Sequence, residues 1–390
     1  MGFRSGRHFV QIPGPTNVPD RVLRAMGQPT IDHRGPEFVE LSREIVSGMR
    51  PVFGTTGSVF IFPASASGGW EAALVNTLSP GDRVLMFDHG FFASNWQKVA
   101  ARFDLAVDFL SCDWRRGIDP DLVAATLDGD AGREYKAVMV VHNETSTGVT
   151  NRVSAVREAM DRVGHPALLM VDAVSSLGSI DYCHDAWRVD VTIAGSQKGL
   201  MVPPGLCFNA VSDKAMAASE SAQLQRSYWS WQDMLPSIET GTFPYTPSTN
   251  LLFGLQEALT MLHEEGLEHV YARHARHAEA TRRAVVAWGL ENYCMSPEEC
   301  SNTVTTVLLP ENVDGDALRT VIFERFDMSL GTGLGKLKGK VFRIGHLGDF
   351  NDLMLAGTLC GIEMGLQAAG TPHEPGGVTA AMNYLATEAT

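Results

Sequence analysis

A chain of 390 residues is longer than one hydrophobic core usually serves, which points to a large domain with a smaller one. With 44% hydrophobic and 19% charged residues, and Gly and Pro spread along it, long disorder is excluded. The formal charge of −14 comes from dispersed acids and argues against nucleic acid as a partner.

No apolar stretch approaches the roughly 20 residues that a membrane helix needs, and the start, Met1 to Asn17, has no apolar signal core. A cytoplasmic protein without a membrane partner is expected. Cys112, Cys183, Cys207, Cys294, Cys300 and Cys360 lie far apart, mostly among apolar neighbours, and read as reduced structural thiols; no C-x-x-C pair supports a metal site, and none is expected.

After a Pro-rich lead (Ile12 to Pro19), short apolar runs alternate with helical patterns. The runs predict strands at Val59 to Phe62, Arg83 to Phe87, Leu105 to Leu110, Lys136 to His142, Ala167 to Asp172, Val189 to Ala194 and Leu206 to Val211. Helices are predicted at Gly69 to Leu78, Asn95 to Phe103, Pro120 to Leu127 and Ser154 to Val163. Continuous β-branched strands alternating with helices predict an α/β fold, with a mainly parallel sheet covered on both faces. From about Leu251 two long helices follow, Leu251 to Glu265 and Leu267 to Trp288, then strands at Thr303 to Leu309 and Val341 to Gly345. The expected division is an N-terminal extension (1–20), a large domain (21–264) and a small C-terminal α/β domain (265–390).

The chemistry concentrates where two apolar strands end, one at Asp172 and one just before Lys198. The carboxyl ends of parallel strands are where α/β proteins place ligands, so both side chains can reach one crevice. A desolvated lysine there has a lowered pKa and condenses with aldehydes. For either residue alone, a loop lysine or a helix-capping aspartate is the simpler reading; together they fit pyridoxal phosphate. That cofactor needs a Schiff-base lysine, an acid on its pyridine nitrogen, a phosphate cradle and a flat neighbour. The cradle candidate is Pro63 to Trp70, where small residues enter a helix N-terminus. Phe91 and Phe92 are candidates for stacking on the ring, or are simply core.

At this point the sequence resembles the class V, fold-type I aminotransferases, and among them the serine-glyoxylate aminotransferases, over essentially the whole chain. The resemblance is carried by Ile12 to Pro19, Thr30 to Gly35, His142-Asn-Glu-Thr-Ser-Thr-Gly148, Gly195-Ser-Gln-Lys198 with Pro203-Pro-Gly205, Pro244-Tyr-Thr-Pro247 and Lys340 to Gly348. It implies a fold-type I pyridoxal 5'-phosphate enzyme in which Lys198 carries the cofactor, Asp172 pairs with the pyridine nitrogen, and Val174 and Phe92 cover the two ring faces. Thr145 would bond near the ring hydroxyl. Phosphate would be held by Ser65, Ala66, Ser67, Gly68 and Gln197, with Tyr245 and Thr246 reaching from a partner subunit, which implies a homodimer with shared active sites. Arg343 would fork onto the substrate carboxylate. Ala66 stands where the family pattern has glycine, Gly69 where it has alanine, and Phe243 where alanine-using relatives carry tyrosine.

The implied reaction moves the amino group of L-serine to glyoxylate in a ping-pong cycle; alanine or aspartate as donor, a lyase or a desulfurase are the alternatives. A desulfurase needs a mobile nucleophilic cysteine, and Cys183 and Cys207 sit in settings that suit inert thiols. Gly331-Thr-Gly-Leu-Gly335 lacks the spacing and the strand-to-helix setting of a dinucleotide loop. Lys336, Lys338 and Lys340 belong to a solvated loop. His263, His269, His274 and His277 read as a solvated helix face, and His33 and His142 as structural hydrogen-bonding residues. Trp229 and Trp231 suit either a pocket entrance or a subunit contact.

Overall fold

The computed structural model describes residues 6–387. Its strands are β1 (Phe9–Gln11), β2 (Ser58–Phe62), β3 (Arg83–Asp88), β4 (Ala106–Ser111), β5 (Tyr135–Val141), a hairpin of β6 (Asn143–Glu144) and β7 (Val149–Thr150), β8 (Leu168–Asp172), β9 (Val191–Gly195), β10 (Cys207–Val211), β11 (Glu291–Asn292), β12 (Val304–Leu308), β13 (Met328–Thr332) and β14 (Val341–Gly345). Seven form the large sheet, in the order β2-β10-β9-β8-β5-β3-β4. The contiguous run from β9 to β4 is parallel, and β10 is antiparallel to both of its neighbours.

These strands are continuous apolar runs because both faces are covered. Alternate residues go to opposite cores: Leu85, Phe87, Val138, Val140, Leu169 and Val171 to one, Val84, Met86, Ala137, Met139, Leu168 and Met170 to the other. That is the period of two expected of a pleated strand.

A second sheet runs β1-β13-β14-β12-β11. Trp288, Phe342, Ile344, Leu355 and Leu359 form its core. The helix Thr249–Glu265 packs on the helices Asp20–Met26 and Pro36–Phe53 beside the large sheet, whereas Leu267–Ala287 packs on Asp352–Ala368 and Gly377–Thr387. Gly266, at φ +84°, makes the turn between the two long helices.

Several elements differ from the sequence reading. The helix predicted from Gly69 begins at Ala66, and the one predicted from Asn95 begins at Phe91. β1 and β13 were not anticipated; they pair in parallel across more than three hundred residues of chain, so neither has a local signal. His274 and His277 are buried rather than on a solvated face, at 1% and 0% exposure, because that side of their helix packs inward; His263 and His269 are exposed. Cys294 and Cys300, six positions apart, come together in space instead of standing alone. Trp231 is fully buried and stacks on Phe60 at 5.5 Å, so it belongs to the core rather than to an entrance or a surface contact.

Candidate active site

A cavity of about 250 Å³ opens at the carboxyl edge of the large sheet. β8 ends in Asp172, and Lys198 follows β9 by three residues, so adjacent parallel strands deliver an acid and an amine to one wall. Ser65, Ala66, Ser67, Phe92, Thr145, Val174 and Gln197 line the same cavity, and so do Trp70, Asn143, Ser175 and Gly14. The helix Ala66–Thr77 points its first turn here with no side chain capping it, which leaves backbone N–H groups and the positive end of the helix dipole for an anion. Gln197 Oε1 is buried and has no hydrogen-bond partner among the described residues. At Gly69 a Cβ would come within 2.9 Å of Ile193 Cγ2, so glycine there lets this helix lie close on β9.

The two ionisable groups are displaced toward each other. Burial pushes the Asp172 carboxyl up to about 7, against the Val174 N–H and the Trp70 indole, which favour its charged form; Glu144 raises it further and Lys198 opposes. Val174 N donates to Oδ1 at 2.8 Å and Trp70 Nε1 to Oδ2 at 2.9 Å. Lys198 is drawn down to about 8 by burial and by the Arg343 charge, with Asp172 opposing. Its Nζ donates to the Pro13 carbonyl. An amine with that pKa is partly neutral near pH 8, as a nucleophile and proton acceptor must be.

Arg343 stands beside the cavity on β14. Its Nε donates to Thr332 O at 2.8 Å and its Nη1 to Thr145 O at 2.9 Å, while Nη2 has no hydrogen-bond partner among the described residues. Burial lowers its pKa to about 10.

Several contributors were not singled out in the sequence. Trp70 aims Asp172 and stacks on Trp96 at 5.9 Å. Gly14 leaves room for the lysine: a Cβ there would sit 2.4 Å from Lys198 Cδ. Glu144 is fully buried and accepts from Phe92 N, Ala93 N, Ser146 N and Ser146 Oγ, so it fixes the start of the helix that carries Phe92. Thr145 Oγ1 donates to Ser175 Oγ at 2.7 Å. An acid inside the segment His142 to Gly148 was the available signal for Glu144. Gly14 and Trp70 lie in the segments Ile12 to Pro19 and Pro63 to Trp70, but nothing local marks their partners Lys198 and Asp172, which are distant in sequence.

Other expected residues lie elsewhere. Gly68 is next to the cavity but packs under Trp229, where a Cβ would be 2.5 Å from the indole. Within this chain Tyr245 and Thr246 are outside the cavity; Tyr245 stacks on Tyr228 at 4.7 Å and donates to Ser227 O, and Thr246 is exposed. Phe243 packs edge-on against Phe38. Phe91 belongs to a separate cluster with Trp114, Leu337 and Val341. His142 bonds Ser176 Oγ at 2.9 Å, and burial holds its pKa down at about 4. Lys336, Lys338 and Lys340 are exposed. No cysteine lines the cavity, and burial drives Cys207 up to about 12.

An α/β fold with a mostly parallel sheet, a buried lysine and aspartate at adjacent strand ends, and an uncapped helix N-terminus opposite them defines a fold-type I pyridoxal phosphate enzyme. The chain belongs to the class-V aminotransferases, whose pattern it matches over residues 9–335, and this family depends on pyridoxal phosphate. It is 50% identical over 389 residues to a serine–glyoxylate aminotransferase of Methylorubrum extorquens, covering 98% of this chain and 97% of that one. It is 44% identical to an L-aspartate–glyoxylate aminotransferase of Paracoccus denitrificans, covering 96% and 95%. The structure of pyridoxamine–pyruvate aminotransferase from Mesorhizobium loti superposes with a TM-score of 0.92 at 30% identity, covering 99% of this chain and 98% of that chain. The residues present fit the cofactor: the uncapped helix turn with its backbone N–H groups and the Gln197 side chain, whose amide NH₂ is a donor for an anion, line the cavity that Lys198 and Asp172 close.

Proposed function

We propose that this enzyme transfers the amino group of L-serine to glyoxylate, giving hydroxypyruvate and glycine. The observation that carries this reading is the small cavity shared by Lys198 and Asp172 beside Arg343, in a chain half identical along its length to a serine–glyoxylate aminotransferase. Among the described residues lining the cavity Lys198 is the only cation. With Arg343 beside it, the described residues that this chain brings to the cavity offer one fork for an α-carboxylate and no further cation. That favours serine over the aspartate reading.

Bound pyridoxal phosphate would supply a carbonyl carbon for the amine and a ring that withdraws electrons when its nitrogen is protonated. Asp172, as a carboxylate held by Trp70 and Val174, keeps the proton at that nitrogen. Phe92 and Val174 would pack against its ring, Thr145 would bond near its hydroxyl, and Ser65 to Gly68 with Gln197 would hold its phosphate. Lys198 Nζ, once free, takes the proton from the substrate Cα. Arg343 orients each acid in turn, and the cramped cavity excludes large side chains.

The exposure of Thr246 and the half-buried Tyr245, away from their own cavity, supports a homodimer in which each reaches the partner's phosphate. The turn at Gly266 supports a division into the large body 21–264 and the small body 265–390 after a 1–20 lead. Among the described residues no helix is long and apolar enough to cross a membrane, which is compatible with a cytoplasmic enzyme.

The test is an absorbance titration of the holoenzyme with L-serine and then glyoxylate, with Lys198→Ala in parallel. The long-wavelength cofactor band should fall with serine and return with glyoxylate, and the variant should lose the cycle by about 10³-fold or more in rate. A band that answers aspartate but ignores serine would reverse the choice of donor.

A further inference from the structure

Cys294 and Cys300 flank a loop whose residues Met295, Pro297 and Glu298 are exposed. Both sulfurs lie within hydrogen-bonding distance of the Ser296 carbonyl, at 3.4 and 3.5 Å, so one acceptor holds the two thiols together, and both line the same small cleft beside Arg282. Cys300 is also tied to the hairpin that lines the active site. It forms an antiparallel bridge with Val149, and the next residue donates from Ser301 N to Gly148 O at 2.9 Å. From there polar contacts run inward: Ser301 Oγ to Thr303 Oγ1 at 3.2 Å, Asn143 Nδ2 to Thr303 Oγ1 at 2.9 Å, and Asn143 Nδ2 to Ser175 Oγ at 2.9 Å. Asn143 and Ser175 line the cavity.

We propose that Cys294 and Cys300 are a reversible thiol–disulfide modification site, oxidised by hydrogen peroxide, that adjusts substrate binding through the β6–β7 hairpin. The Cys300 sulfur attacks one peroxide oxygen, the O–O bond breaks, and hydroxide leaves and takes a proton, so that sulfur becomes a sulfenic acid. The Cys294 sulfur, losing its proton, then bonds to it as the S–O bond breaks and a second water forms. In sum, two thiols are oxidised and one peroxide is reduced to two waters. The roles follow from the surroundings. Cys300 is half-buried whereas Cys294 is buried, so peroxide reaches Cys300 first, and the Arg282 guanidinium, which donates to the adjacent Ser301 carbonyl at 3.4 Å, lies in the same cleft to favour its thiolate. The closed ring is short, so joining its ends costs little chain entropy.

Holoenzyme is treated with limiting hydrogen peroxide, alkylated, and mapped by mass spectrometry without reduction, beside Cys300→Ser and Cys294→Ser. The expected result is a Cys294–Cys300 crosslink that forms before the exposed Cys360 is modified and is reversed by dithiothreitol. The KM for the amino donor should change by about two- to tenfold in the oxidised wild type and in neither variant. Both thiols still alkylatable while Cys360 is oxidised would overturn the site. A crosslink with unchanged KM would overturn its coupling to the cavity. The mapping does not depend on which amino acid is the donor, so it stands apart from the proposed substrate.

Discussion

At the edge of the large sheet, Asp172 and Lys198 are buried facing a cavity, and their pKa values move to about 7 and about 8. In the body built on the second sheet, His274, His277 and His346 are buried as deeply. There the surroundings are filled with protein. His274 donates from Nδ1 to Val270 O and accepts at Nε2 from Gly348 N, a fully bonded neutral ring held down at about 3 by burial. His277 donates to Asp352 and also stays below its ordinary value, because burial outweighs the carboxylate. Burial of a titratable group therefore does not by itself mark a site. The acid and amine face a cavity that a ligand can fill, whereas the histidines are held neutral by burial among packed protein.

The sharpest way to break this contrast is at Arg343. Arg343→Lys keeps the charge but loses the planar fork, and kcat/KM for the amino donor should fall about 10²-fold, mainly through KM. A steady-state profile unchanged within a factor of two would remove Arg343 from carboxylate binding. Trp70→Phe takes one donor from the Asp172 carboxylate and leaves the packing on Trp96. Because a hydrogen bond to a charged group contributes about 1.5–3 kcal/mol, cofactor affinity should drop about tenfold or more, and the loss should be greater at low pH as Asp172 takes a proton more readily. Equilibrium dialysis of the cofactor at two pH values reads this, and an unchanged affinity would leave Trp70 as packing alone.

The smallest effect concerns stability against pH, where the two regions have opposite signs. The folded-state pKa of His274 lies below 6.5, so this residue costs stability progressively as pH falls from about 6.5 towards 3. Asp172 has a raised folded pKa, so its contribution to the apoenzyme is present below the usual carboxylate value and is lost as pH rises through about 7. His274→Gln should therefore flatten the acid side of the Tm profile, whatever it does to Tm at neutral pH. A slope identical to wild type between pH 6.5 and 4.5 would count against the buried neutral histidine.

Much of the cavity was legible before any coordinates. β8 and β9 are uninterrupted apolar strands, which put Asp172 and Lys198 at adjacent carboxyl ends by topology alone. Helix starts were harder to read. Those at Ala66 and Phe91 lie earlier than the apolar pattern suggests, because small residues and a buried acceptor, Glu144, stabilise first turns that have no amphipathic signature. The helix Pro36–Phe53 adds to the predicted set, and Phe38, Leu41, Ile45, Met49 and Val52 carry its helical spacing.

The sequence by itself determined the alternating parallel architecture and an acid and a lysine at strand ends, since these rest on local hydrophobic period, while Arg343 entered only through the resemblance carried by Lys340 to Gly348. Only the tertiary structure decided what surrounds them. β1 pairs with β13, Gly14 clears space for Lys198, Trp70 reaches Asp172, and Cys294 meets Cys300 behind the hairpin. These contacts are made by side chains whose partners are set by packing of the whole chain, and a local pattern carries no record of a partner that lies elsewhere in the sequence.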